Sequence, residues 1–81
     1  MNQRERTTAQ MRLDRARKDI VETTAAIGRH TRRADDLRSS SRTDAAPRLA
    51  RKMDELNKLN QKLAVRKERE AKYLHLLAPA G

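Results

Sequence analysis

The apolar residues of this chain recur at alternating intervals of four and three, a period that leaves room for little besides packed helices. In the first half the series runs Ala9, Leu13, Ala16, Ile20, Thr23, Ile27, His30, Ala34 and Leu37. In the second it runs Leu49, Met53, Leu56, Asn60, Leu63, Lys67, Glu70, Leu74 and Leu77. A repeat of ~3.5 residues draws one stripe down one face of a helix, the seam of helices that cross with left-handed twist. The strict alternation of a half-buried strand is poor in both regions. Breakers are sparse: glycine stands only at 28 and 81, and proline only at 47 and 79.

The spacing predicts helix 1 over about residues 7–38, a polar turn over about 39–44, and helix 2 over about 45–77. Thr7-x-x-Gln10 reads as a capping box for the first helix. Ser39, Ser40 and Ser41 compete with helical hydrogen bonds and suit a turn. Asp44 or Thr43 reads as the second cap, with Ala45, Ala46 and Pro47 in the first turn, where a missing N–H costs nothing. Pro79 and Gly81 fit a C-terminal stop. Each helix reaches roughly 50 Å, and the short connection returns the chain antiparallel.

The fold class is therefore all-α: two long antiparallel helices in one coiled-coil-like helical hairpin spanning residues 1–81. Folding back sets Leu37 against Leu49, Ile27 against Leu56 or Asn60, and Leu13 against Leu74. The core is thin. Apolar residues make up 36% of the chain, twelve of them are alanine, and Tyr73 is the one aromatic. So small a core calls for self-association or a partner. The expectation is a homodimer, a four-helix bundle with Leu56, Leu59 and Leu63 at its shared centre. Asn60 in the seam fixes register, and Val65 and Leu76 are outlying apolar residues of an oligomer or partner interface. Lys67 and Glu70 interrupt the second seam and are expected to pair with each other or across a dimer.

Charge is the second strong constraint. Twenty Lys and Arg against eleven Asp and Glu give a net charge of +9, spread over both halves. Such an excess favours polyanions or an acidic protein surface. Arg51, Lys58, Lys62, Arg69 and Lys72 fall along one side of helix 2, read as opposite its seam. Arg15, Lys18, Arg29 and Arg33 fall together on helix 1, with Arg4 beyond them. A rigid basic stripe meets phosphates at several points, and arginine grips each with two donors. Pairs at i,i+4 offset part of the charge: Asp14–Lys18, Lys18–Glu22, Arg51–Glu55, Asp54–Lys58, Arg66–Glu70 and Glu68–Lys72.

Other classes are disfavoured. Without cysteine there is no thiolate chemistry, disulfide or Cys-based metal site. His30 and His75 form no ligand pair, so no metal, cofactor or catalytic residue is assigned and the chain is read as non-enzymatic. No apolar run approaches the ~18 residues of a spanning helix, and Trp and Phe, the usual interfacial anchors, are absent. The expected location is the cytoplasm. A helix-turn-helix needs shorter helices, a basic zipper needs a cleaner leucine seam, and stacking of single strands needs more than one aromatic. The sequence thus points to sequence-independent binding of structured RNA or duplex DNA through phosphates. The alternative is a small adaptor or inhibitor that docks its helical faces on a protein partner.

Overall fold

The computed structural model describes residues 1–79 and consists of α1 (Gln3–Arg38) and α2 (Ala45–Leu77). The helices run antiparallel as one rod of 61 × 17 × 14 Å. The expected hairpin is present, but its first helix opens one turn before Thr7. The Asn2 side chain accepts from the Glu5 backbone N–H at 2.8 Å, and its amide donates back to the Glu5 carboxylate at 3.4 Å. Asn2 is therefore the N-cap: its side chain satisfies one free N–H of the first turn, and the Asn2 and Glu5 side chains also bond each other. The Thr7 hydroxyl is already inside the helix, donating to the Gln3 carbonyl at 2.9 Å.

The polar turn lies where the serines place it. The Ser39 N–H and hydroxyl both donate to the Asp35 carbonyl and close α1. The Ser40 hydroxyl accepts from the Arg42 N–H. Asp44 occupies the cap position of α2 but makes no capping bond. Its carboxylate is held instead by Arg48 at 3.0 Å and Arg42 at 3.7 Å. Pro47 stands in the first turn. At the far end Ala78 is extended, as a residue before proline prefers. Gly81, part of the expected stop, lies outside the described residues.

Every expected seam residue of α1 faces α2. Ala9, Leu13, Ala16, Thr23, Ala34 and Leu37 are buried, and Ile20, Ile27 and His30 are half-buried. The seam of α2 differs from the expected one at every second step. Ala45, Leu49, Lys52, Leu56, Leu59, Leu63, Arg66, Glu70, Tyr73 and Leu77 turn inward, while Met53, Asn60, Lys67 and Leu74 are exposed. In heptad letters, α1 has Leu13, Ile20, Ile27 and Ala34 at a. Its d positions are Ala9, Ala16, Thr23, His30 and Leu37. Helix α2 has Leu49, Leu56, Leu63, Glu70 and Leu77 at a, with Ala45, Lys52, Leu59, Arg66 and Tyr73 at d. The four misplaced residues are the e positions beside them.

Chemistry explains the shift. Lys52 and Arg66 bury their stems against α1 and carry their charged heads to polar partners. Lys52 Nζ lies 3.1 Å from His30 Nδ1, and the Arg66 guanidinium donates to the Thr23 hydroxyl. Thr23 in turn donates to the Asp19 carbonyl at 2.7 Å, so this buried hydroxyl is satisfied. Glu70 reaches across to Arg17 at 3.4 Å rather than to Lys67. Asn60 bonds back to the Leu56 carbonyl in its own helix and makes no bond to α1, so it sets no register within the hairpin. The apparently wide Leu56-Leu59-Leu63 face is an ordinary a/d seam, with Leu56 buried and the other two half-buried.

Candidate polyanion-binding surface

In an antiparallel helix pair the g positions of both helices border the seam on one broad side, with c beside them. The e and b positions make up the other side. The corrected register changes where the basic stripe lies. Arg51, Lys58 and Lys72 are at c of α2, and Lys62 and Arg69 are at g. The stripe thus flanks the seam instead of standing opposite it, which brings it beside α1. On α1, Arg15 and Arg29 are at c and Arg33 at g, on the same broad side. All eight are exposed. Lys18 is set apart at f, on the outer edge of α1, among Asp14, Asp19 and Glu22.

The structure adds residues that the stripes alone do not reveal. Arg12 and Arg48 occupy g positions, and Arg66 reaches the same side from d. A correct seam register names all three, since each lies at or next to d. The side as a whole carries ten basic residues at c and g against five acidic ones, Glu5, Asp19, Glu22, Asp36 and Glu55. Two clefts concentrate the charge. Toward the open end, Arg12 and Arg15 of α1 meet Arg66 and Arg69 of α2 around a cleft of about 230 Å³, with Ala16, Asp19 and Tyr73. A shallower groove continues from it along Lys58, Gln61, Lys62 and Val65. Near the turn, Arg33, Arg48 and Arg51 surround a second cleft of about 210 Å³, with Leu37, Lys52 and Glu55. Lys72 stands 5.8 Å from the centre of the Tyr73 ring.

Few of these cations are neutralised. Arg48 pairs with Asp44, Lys58 with Asp54, and Lys52 with Glu55. Among the described residues, Arg12, Arg15, Arg33, Arg51, Lys62 and Arg69 have no carboxylate within ion-pair distance. Of the six expected i,i+4 pairs, only Asp54–Lys58 forms, at 3.2 Å. Glu55 turns from Arg51 to Lys52 and to His30, at 3.0 and 3.1 Å. The hydrogen bond from Lys52 lowers the Glu55 pKa below its ordinary value, aided by the charges of Lys52 and His30 and opposed by desolvation and Asp54.

The opposite side is different in kind. Its e and b positions hold only Arg17, Arg38 and Lys67 against Asp14 and Asp35, and Arg17 and Arg38 are already matched by Glu70 and Asp35. Of the residues expected at an oligomer or partner interface, Leu56, Leu59 and Leu63 face α1. Val65 and Leu76 are exposed on the basic side, 49% and 44% accessible. Among the described residues no three His, Asp or Glu side chains gather as a metal site, and no helix is long and apolar enough to cross a membrane. Comparison with known protein families, curated proteins and solved structures gives no match.

Proposed function

We propose that this chain is a non-catalytic hairpin that binds structured RNA or duplex DNA through phosphate contacts, largely without regard to sequence. The observation that carries the reading is the sorting of charge onto one broad side, where two helices supply arginines to shared clefts. From Arg51 to Lys72 the basic side runs about 30 Å along α2, close to one turn of a duplex. Among the described residues the guanidiniums of Arg12, Arg15, Arg33, Arg51 and Arg69 have no carboxylate partner, and arginine holds an incoming oxyanion with paired N–H bonds. The rod is 17 × 14 Å across, wider than the ~12 Å major groove. It therefore lies on the phosphates and leaves base edges unread.

The hairpin is proposed to act as a homodimer in the cytoplasm. Among the described residues no large side chain is fully enclosed between the two helices, which is a thin core for a free-standing protein. Val65 favours a second reading. An exposed valine between Lys58, Lys62, Arg66 and Arg69 also suits an acidic helix that offers one apolar contact, the mark of an adaptor or inhibitor.

The test is binding to duplex RNA and duplex DNA across salt. The expected result is comparable affinity for unrelated sequences, with log affinity falling steeply and linearly against log salt. No binding at 50 mM salt, or binding that ignores salt, leaves the protein-partner reading as the better one.

A further inference from the structure

We infer that two copies pair through the nearly neutral broad side, placing their basic sides back to back and facing outward. This rests on the homodimer proposed above and names the face that forms it. A second copy is the occupant that the charge pattern selects. Each chain carries +9, so copies repel across the basic side and meet least resistance across the e and b side. There Lys67 is the one cation without a partner among the described residues, and Asp14, of opposite sign, lacks a cation.

The same side exposes large apolar groups, with Val21 68%, Leu74 42% and Met53 36% accessible. One broad side of a rod 61 Å long and 17 Å wide offers about 1,000 Å² per copy, against the ~800 Å² per partner typical of a stable interface. Gly28 agrees. It sits at b inside α1, ten residues before the helix ends, where a Cβ would meet nothing within 4 Å. Nothing inside the hairpin requires so poor a helix former, whereas a second backbone approaching closely does.

The experiment is sedimentation equilibrium without nucleic acid, on wild type, Ala64→Arg and Gln61→Arg. Ala64 is exposed at b in the middle of the nearly neutral side, and Gln61 lies at f on the outer edge. Wild type and Gln61→Arg are expected near twice 9.3 kDa at tens of micromolar, and Ala64→Arg near 9.3 kDa with its helical signal intact. A monomeric wild type overturns both the homodimer and its face. A dimeric Ala64→Arg overturns the face alone. A second arm mixes two differently labelled duplexes at low salt. Wild type is expected to hold both in one complex, and Ala64→Arg to bind them one at a time. A wild-type dimer that binds each duplex but never both together overturns the back-to-back arrangement. Failure to bind either duplex speaks against the phosphate reading and leaves the pairing result standing.

Discussion

Glu55 illustrates how a single residue ties the seam to the basic side. It stands at g of α2, yet its carboxylate faces Lys52 and His30 rather than Arg51. Arg51 is thereby left without a carboxylate partner near the turn. Because the hydrogen bond from Lys52 holds the Glu55 pKa below its ordinary value, its ionised form favours the folded state. That contribution is complete above the carboxylate's unfolded pKa and is lost as pH falls through the lower folded value. Glu55 is exposed, so the effect is small. Thermal melts should show Glu55→Gln below wild type at pH 7, with the gap closing as pH drops from about 5 toward 3. A gap that stays constant across that range would show that the carboxylate's charge is irrelevant to the fold. Neither this contact nor the Arg66–Thr23 bond is readable from sequence, because Glu55 and Arg66 also have oppositely charged neighbours four residues away, Arg51 and Glu70, and spacing alone does not choose between partners.

At the scale of the elements, α1 was legible and α2 only partly so. In α1 the seam is made of small, β-branched and leucine residues with His30 the one exception, so the spacing of apolar residues and burial give the same face. In α2 three of the ten inward residues are Lys52, Arg66 and Glu70, whose long stems are covered while their heads remain wet. Hydropathy ranks Lys52 and Arg66 as outside and draws Met53 and Leu74 inward, rotating half the seam by one residue, while Glu70 keeps the seam position that the spacing assigns it. The start of α1 was missed for a smaller reason. Asn2-x-x-Glu5 and Thr7-x-x-Gln10 are both capping patterns, and the true one adds a further turn. The register has a direct energetic consequence. Leu56 is 7% exposed and Leu74 is 42% exposed. Leu56→Ala should cost ~2–4 kcal/mol, and Leu74→Ala less than ~1 kcal/mol in the hairpin itself. Urea unfolding of the monomeric Ala64→Arg background isolates that comparison. Equal losses would restore the e positions to the seam.

At the scale of the whole molecule the central feature is two-sidedness: one broad side cationic, the other nearly neutral. The sequence showed the excess charge and most of the residues that carry it, since helical spacing alone gathers Lys58, Lys62 and Arg69. It did not show that these residues adjoin α1, because that depends on whether the seam runs a/d or a/e. Only the first choice brings Arg12 and Arg15 to Arg66 and Arg69 across one cleft. The phosphate binding proposed above therefore belongs to a side, not to net charge. The direct measurement compares two variants of equal charge, Lys62→Gln/Arg69→Gln/Lys72→Gln on the basic side and Arg4→Gln/Arg32→Gln/Lys67→Gln away from it. Duplex affinity is followed from 50 to 200 mM salt. With a slope near 0.9 per phosphate contact, the first triple should flatten the dependence by about 2–3 and weaken binding by orders of magnitude. The second should leave both close to wild type while the helical signal of each persists. If the two triples lose affinity equally, or if the first binds as wild type does, the basic side is a solvated surface and not a binding site.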